Sequence, residues 1–393
     1  MSDGTPTRAF FEQRVNFRAV GLLRLLVGLI TLIHLWPFLQ DAVPGRYFAE
    51  RFFVPFFEWF PVLGVEGYRA TLLVGMGGAL ALAAGVFSRA AAGLTLAVVS
   101  FNVLSNELHF GHNRAFLMTL LFGLTVLPSG VAFRVDAWRV RREGRAPDES
   151  APRRPRGLVR GLACTPYLAS GFSKLVDPDW WGGVVMADRI ARYRHVAEGM
   201  GVPAGLIDPI ASPAFNAVMW KAVVLTELFI GAGLWFRRTH VAAMVAAVGF
   251  HVLIEITSSV SVFSFLGLAG LLLWVTPRVR ERGVRLDPRD PAGQRIARRL
   301  ARLDWLHRFD VRPTEGAAFV VEDVAGFRWT GGAAGGQVWS RLPHSAPFVA
   351  PLRLVALLRR RSRGGPDSRR PRNGAVAGAS AQTQARRMAG PKT

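Results

Sequence analysis

The sequence predicts an all-α integral membrane protein with about eight transmembrane helices. Eight apolar runs approach the roughly 20 residues that a helix needs to cross a bilayer. Arginines cluster in alternate loops between these runs, which is typical of a chain threaded repeatedly through a membrane. The single cysteine, Cys164, excludes an internal disulfide. A polytopic helical bundle without disulfides accounts for the apolar runs, the arginine pattern and the single cysteine.

The predicted spans fill residues 18–276. Most are uniformly apolar, but Pro166, Tyr167, Ser170 and Ser173 interrupt the fifth. We expect that span to be buried among its neighbours and to line a cavity, because a broken helix must satisfy its backbone groups inside the protein. The eight stretches are residues 18–40, 69–87, 90–108, 115–133, 158–176, 214–236, 239–257 and 260–276.

The distribution of charge predicts the orientation and the partners. The loop between the fourth and fifth spans carries nine arginines between Arg134 and Arg160 against four acidic residues, so it is expected in the cytoplasm. Alternation then places both termini, including residues 1–17, on the cytoplasmic side of the cell membrane. The net charge of +22 comes almost wholly from arginines beside apolar spans. The predicted partners are therefore the bilayer and its anionic lipid head groups, and nucleic acid is not expected.

The chain beyond the last span is predicted to be cytoplasmic. Residues 277–358 have a mixed pattern that fits a small folded region. Residues 359–393 are rich in Arg, Gly, Ser, Ala and Gln, a composition that favours a disordered basic tail.

Several polar residues occur near the predicted outer ends of the spans. Isolated ionisable groups close to hydrocarbon are costly, so they usually pair with one another or serve a function. We therefore expect a single pocket that opens outward. Its candidate members are His34, His109, His112, Asn113, Lys174, His251 and Glu255.

Lys174 is the candidate base of this pocket. The chain otherwise uses arginine almost everywhere, and its only other lysines are Lys221 and Lys392. Lysine, unlike arginine, can lose its proton when it is desolvated, so its presence at this position indicates proton transfer. The alternative is a lysine that extends from a helix end to the interface beside tryptophans, which is common and needs no catalytic role.

His251 and Glu255 are predicted to act together. Their i, i+4 spacing places them on one helical face, where the carboxylate could orient the imidazole or accept its proton. His109 and His112 could instead join His251 in a zinc or iron site, although interfacial or capping histidines need no metal, and the predicted site contains none. Arg24 and Glu227 are interpreted as a structural ion pair within the membrane.

Three segments resemble one known family. Gly171-Phe172-Ser173-Lys174-Leu175, followed by Asp177-Pro178-Asp179-Trp180, is similar to the lysine-bearing motif of the vitamin K-dependent γ-glutamyl carboxylases. Gly111-His112-Asn113-Arg114-Ala115-Phe116-Leu117 and the Phe250-His251 helix resemble two histidine-containing segments of that family, in the same order. The likeness covers roughly residues 15 to 278 and points to the wider group of horizontally transferred transmembrane (HTTM) domains.

The resemblance implies a membrane-embedded enzyme. Lys174 would match the lysine that deprotonates a reduced quinone, while His112 and His251 would match supporting histidines. Reduced vitamin K or menaquinol would be the cofactor, and oxygenation of that quinone would generate a strong base for carbon deprotonation. The chain departs from the pattern at Ser173, where the family has a second lysine, and at the additional Val176.

One further interpretation concerns the chain after the membrane core. Residues 295 to 343 look like the remnant of a small thioredoxin-like domain that is sometimes fused to this group, but no Cys-x-x-Cys pair is present for thiol exchange.

The alternative to an enzyme is a non-catalytic membrane protein that binds a lipid or a partner through the same pocket. A transporter has less support, because the sequence shows no convincing internal repeat.

Overall fold

The computed structural model is mainly helical, and every stretch predicted as a span contains a helix. It describes residues 14–43, 54–135, 142, 149–199, 201–236, 238–258, 262–275, 282–323 and 326–342. The predicted tail at residues 359–393 lies outside the described residues. The helices before residue 276 are α1 (Arg18–Asp41), α2 (Val65–Ala84), α3 (Ser88–Leu104), α4 (His112–Val126), α5 (Arg154–Val176), α6 (Pro178–Trp181), α7 (Val184–Gly199), α8 (Ala204–Ala211), α9 (Pro213–Gly233), α10 (His240–Ser258) and α11 (Phe263–Gly270).

Within the described part of the chain, three helices are long and apolar enough to cross a membrane. These are α1, α2 and α9, judged by length and composition. The helical stretches Ser88–Leu104, His240–Glu255 and Phe263–Trp274 are also apolar but shorter. The last of these consists of α11 and a 3-10 turn at Leu271–Trp274 that continues it.

One hydrophobic core runs through the helical region. Val20, Leu23 and Val27 of α1 are buried there with Leu120 and Leu124 of α4, and side chains of α2, α3, α5, α9, α10 and α11 complete it. Apolar side chains also cover the outside of the bundle, as at Ile33 and Leu73, which are 66% and 56% exposed. Helices that are apolar on both their inner and outer faces are typical of a bundle surrounded by lipid.

Helices α5 and α9 pack closely and antiparallel. A Cβ added at Gly171 of α5 would lie 2.7 Å from Leu228 Cδ2, and one added at Gly231 of α9 would lie 2.6 Å from Leu168 Cδ2. Small residues at these two points let the helix backbones approach. The two contacts also fix the register, so the C-terminal part of α5 lies beside the C-terminal half of α9.

A helical layer occupies the segment between α5 and α9, which the sequence leaves between two predicted spans, 158–176 and 214–236. Trp180 of α6 and Met186 and Ile190 of α7 are buried against Trp220 and Val224 of α9. Helix α7 was not predicted because only one side of it is apolar. This layer covers the end of α5 that carries Lys174.

The all-α prediction is wrong for two parts of the described chain. Strands β1 (Arg14–Asn16) and β2 (Ser150–Pro152) form an antiparallel ribbon that joins the segments before α1 and α5. A second sheet, of strand order β4-β3-β5-β6, contains β3 (Arg282–Leu286), β4 (Phe309–Pro313), β5 (Val320–Asp323) and β6 (Arg328–Thr330).

The second sheet and its helices form a small α/β unit within residues 282–342. Strand β3 is parallel to β4 through the connecting helix α12 (Pro291–Leu303), and it is antiparallel to β5. Strand β6 pairs antiparallel with β5 and leads into α13 (Gly331–Trp339). The core contains Val284, Leu286, Leu300, Phe309 and Val321. Strand β3 alternates buried and half-buried residues, whereas the membrane helices are recognised by continuous apolar runs.

Candidate functional site

Lys174 lies in a buried ion pair between α5 and α9. Its Nζ donates a hydrogen bond to Glu227 Oε2 at 2.6 Å, and the hydroxyl of Ser170 donates to Glu227 Oε1 at 3.0 Å. The two charged side chains are only 15% and 5% exposed. Both carboxylate oxygens are therefore occupied, and the amine is held at one defined position.

The helical layer encloses the ion pair from one side. The ring centroid of Trp180 lies 4.7 Å from Lys174 Nζ, which is a cation-π distance. Trp180 is placed by the short helix α6, whose first turn is capped because Asp177 Oδ1 accepts a hydrogen bond from the Asp179 backbone at 2.9 Å. An aromatic wall and a carboxylate thus border the same amine.

A second polar pair lies deeper along α5. The hydroxyl of Tyr167 and Nε2 of His251 are 2.6 Å apart and share a hydrogen bond. His251 is 0% exposed, and its ring packs against Phe250, Phe263 and the backbone of Gly267, where an added Cβ would meet the imidazole at 2.0 Å. Its Nδ1 has no hydrogen-bond partner among the described residues.

One face of α5 carries both pairs. Tyr167, Ser170 and Lys174 follow the i, i+3, i+7 spacing that places side chains in one row on a helix. The rise between Tyr167 and Lys174 is about 10 Å. Helix α5 therefore presents a polar row to α9 and α10; the cavity expected from its interrupted sequence has no water-sized space beside Tyr167.

The predicted ion pair between Arg24 and Glu227 is wrong. Arg24 donates to the Phe133 carbonyl at 2.8 Å and to the Ser88 hydroxyl at 3.2 Å, at the end of the bundle where α3 begins. Glu227 binds Lys174 instead. The register of α5 and α9 sets Glu227 level with the C-terminal part of α5 and away from Arg24.

The structure does not bring Glu255 or His112 to the lysine. His251 is bonded to Tyr167 and not to Glu255, and Glu255 Oε2 is buried without a hydrogen-bond partner among the described residues. His112 is exposed at the start of α4, where its ring contacts Phe110. The expected cooperation of His251 with Glu255 through their i, i+4 spacing is therefore absent.

The remaining outer histidines form a separate cluster. The ring of Phe38 lies between His34 and His109, with centroid distances of 5.4 and 4.9 Å. His109 Nδ1 is 2.7 Å from the Asn102 carbonyl, and the Tyr68 hydroxyl donates to Asn102 Oδ1 at 2.5 Å. No group of three His, Cys, Asp or Glu side chains suited to a metal occurs in the described ranges. The single pocket expected from the sequence is thus divided.

The two polar pairs on α5 differ in their access. The space bordered by Phe116, Tyr167, Gly267 and Trp274 is too narrow for a water molecule. Lys174 lies nearer the surface, and its neighbours Phe172 and Val176 on the same helix are 59% and 80% exposed. The Lys174 side chain keeps 15% of its surface exposed, whereas His251 is fully buried.

Tyr167, Ser170 and Trp180 are site residues that the sequence analysis did not assign. The signal for the first two was present, because their spacing with Lys174 matches one helical face. Trp180 stands in the segment that resembles the carboxylase motif, although its contact with the amine depends on α6. Nothing in the sequence around Glu227 indicates that it is the partner of Lys174.

Comparison with known proteins identifies the helical region. A family model described as the HTTM domain matches residues 13–278. No curated protein and no solved structure matches the chain significantly. The match includes α1 to α11 and with them both polar pairs of α5. The predicted family is therefore confirmed: the chain belongs to the HTTM family, a group of vitamin K-dependent carboxylase-like membrane proteins.

Proposed function

We propose that this HTTM protein is a membrane-embedded enzyme in which Lys174 removes a proton from a lipid-soluble substrate, of which a quinol is the first candidate. The observation that carries the proposal is the buried hydrogen bond between Lys174 Nζ and Glu227 Oε2. A lysine held beside a carboxylate, with an aromatic wall, is suited to hold and release a proton at one position.

The Lys174–Glu227 pair can present a neutral amine without leaving an unpaired charge in the protein interior. When the proton of the ammonium moves to Glu227, the lysine becomes a base and the carboxyl becomes neutral, so no net charge is created in the low-dielectric interior. Ser170 then holds the other carboxyl oxygen in place. After the amine takes a proton from a substrate hydroxyl, the ammonium pairs with the substrate oxyanion that it has formed, and Glu227 stays neutral.

The surroundings of Lys174 fit a quinol ring. Reduced vitamin K or menaquinol would supply an acidic ring hydroxyl and, with oxygen as the oxidant, the electrons of the reaction. Trp180 offers an aromatic surface beside the amine, and the rings of Trp181 and Trp220, 4.4 Å apart, pack together where α6 meets α9. Val218 and Leu225, on the face of α9 opposite Glu227, are each 66% exposed, so lipid borders the back of this helix.

His251 is assigned a positioning role. Its hydrogen bond to Tyr167 and its close packing on Gly267 hold the face of α5 that also carries Ser170 and Lys174. The absence of water-sized space around it argues against direct contact with a substrate in this conformation. His112 and Glu255 have no contact with the proposed base, so the proposal does not include them.

The test is oxidation of menaquinol or reduced vitamin K by the purified protein in lipid nanodiscs. Wild type is compared with Lys174→Ala, Lys174→Arg and the control Lys221→Ala, because Lys221 also lies over a tryptophan ring but is exposed. We expect turnover to be lost in both Lys174 variants and kept in the control. Turnover by Lys174→Ala at the wild-type rate would overturn the assignment of the base.

A second candidate is a non-catalytic membrane protein that binds an apolar ligand. One observation favours the absence of catalysis: His251, which the sequence predicts as a supporting catalytic residue, is bonded to Tyr167 beside a space too narrow for water. The same assay separates the candidates. Absence of turnover in the wild type, together with retained binding of the quinone, would support the binding function and reject the enzymatic one.

We further propose that eight helices span the cell membrane, with both termini in the cytoplasm. The support is the agreement between the eight apolar stretches and the helices, together with the arginine-rich loop before α5. A cysteine introduced at Gly144 should not react with an impermeant reagent added outside cells, and Cys164 is buried and unreactive in the background. Labelling from outside would contradict this topology.

We also infer that the α/β unit within residues 277–358 is a degenerate thioredoxin-like remnant. The order of its strands and helices supports this inference: a parallel β-α-β unit is followed by an antiparallel hairpin and a helix. The only cysteine of the chain, Cys164, lies in α5, so this unit cannot exchange thiols. Its role must be structural or one of binding.

A further inference from the structure

Four arginines line the exposed face of α12. One side of the helix is apolar: Gly293 and Leu300 are buried, and Ile296 and Ala297 are partly buried against the core of the unit. These four residues follow the i, i+3, i+4, i+7 spacing of one helical face. The arginines follow the same spacing on the opposite side and are all exposed: Arg295, Arg298, Arg299 and Arg302. The helix contains no acidic residue.

The positive charge of this face is not compensated within the protein. Other exposed arginines of the same unit pair with carboxylates: Arg285 with Glu322, Arg289 with Glu315, Arg312 with Asp310 and Arg328 with Glu322. Among the described residues, none of the four α12 arginines takes part in an ion pair. The nearest acidic groups in the chain, Asp290 and Asp304, cap the helix or accept backbone hydrogen bonds.

The end of α12 is attached to the boundary of the helical bundle. In the turn that follows it, the Leu306 carbonyl accepts a hydrogen bond from Asn16 Nδ2 at 2.7 Å, two residues before α1 begins. The ring of Trp305 lies 6.3 Å from that of Phe133, beyond the end of α4. The arginines of the last two turns are therefore held near the level at which α1 enters the membrane.

We propose that the basic face of α12, formed by Arg295, Arg298, Arg299 and Arg302, binds the anionic phospholipid head groups of the leaflet on which α1 begins. Guanidinium groups match phosphate in charge and in geometry, and a membrane surface that carries anionic lipid attracts basic segments held close to it. In the proposed topology this leaflet is the cytoplasmic one. The inference is independent of the reaction at Lys174.

The test uses the full chain in nanodiscs with a fluorophore attached through Ala301→Cys, an exposed position of α12, since Cys164 is buried. A lipid with a nitroxide quencher on its head group is present at the same fraction in phosphatidylcholine discs and in discs that also contain phosphatidylglycerol. We expect stronger quenching with phosphatidylglycerol. High salt should reduce the difference, because it screens exposed charges.

Matched variants identify the responsible residues. Arg298→Gln with Arg299→Gln should shift the docking equilibrium about fivefold for each charge removed, whereas Arg298→Lys with Arg299→Lys should keep most of the quenching. Arg289→Gln with Arg312→Gln removes two paired arginines from the same unit and should change nothing. Equal quenching in the two kinds of disc, or an equal loss in the control pair, would overturn the proposal.

Discussion

The two polar pairs on α5 stand about 10 Å apart along one helical face and are built differently. Lys174 and Glu227 form an ion pair whose lysine keeps 15% of its side chain exposed, next to apolar residues that face lipid. Tyr167 and His251 form a hydrogen bond between groups that are neutral in such surroundings, sealed by aromatic rings and by Gly267. In the proposed function, the first pair exchanges a proton with an incoming molecule, while the second holds the helix in place.

The comparison explains why burial alone does not identify the reacting group. His251 is the more deeply buried residue, and it was assigned together with Lys174 from the sequence. Its space is closed to water, however, and its ring is fixed by close packing. Access and the ability to shift a proton to a partner distinguish Lys174.

Breaking the ion pair should have the largest effect on stability. Glu227→Ala leaves the Lys174 ammonium buried without a counter-charge, and we expect a loss of about 3–5 kcal/mol in the free energy of unfolding. The double variant Lys174→Met with Glu227→Leu should recover most of it, since no charge remains. Thermal unfolding in detergent measures the stability of both variants. A double variant as unstable as Glu227→Ala would show that the unpaired ammonium is not the cause of the loss.

Filling the space beside His251 should have the next largest effect. Gly267→Ala places a Cβ 2.0 Å from the imidazole, so the ring or the backbone must move, at a cost of about 1–3 kcal/mol. Gly249→Ala in α10 is the control, because nothing lies within 4 Å of the added Cβ there. Equal melting temperatures for the two variants would contradict the sealed packing of the histidine.

Removal of the Tyr167 hydroxyl should have a smaller effect. Tyr167→Phe keeps the ring but leaves His251 Nε2 without its hydrogen bond, which costs about 1–2 kcal/mol for a buried acceptor or donor. Because the tyrosine positions α5 and does not touch a substrate, turnover should fall less than with Lys174→Ala. A complete loss of turnover in a stable Tyr167→Phe protein would assign the tyrosine a direct role.

Replacement of the lysine by arginine should have the smallest effect on stability. Lys174→Arg keeps a cation beside Glu227, so the free energy of unfolding should change by about 1 kcal/mol or less. Arginine cannot act as a base at neutral pH, and turnover should therefore disappear although the protein stays folded. An active Lys174→Arg protein would show that the residue contributes charge and not proton transfer.

Much of the helical architecture could be predicted because it depends on local composition. The predicted spans at residues 18–40 and 158–176 lie within or overlap α1 (Arg18–Asp41) and α5 (Arg154–Val176). Continuous apolar runs are a strong signal for helices in lipid. The layer formed by α6, α7 and α8 has no such run, and its short helices are stable only because Trp180, Met186 and Ile190 pack against α9. The strands of the α/β unit are similarly short, and their pairing joins distant segments.

The sequence by itself determined the apolar stretches, the placement of arginines, the lysine of the carboxylase-like motif and, through these, the family. It also placed Tyr167, Ser170 and Lys174 on one face of a helix, because helical periodicity is a local property. Only the tertiary structure decided that Glu227 belongs to Lys174 and that Arg24 binds neutral oxygens. The physical reason is that partners on different helices depend on the helix register, which here is set by the close contacts at Gly171 and Gly231.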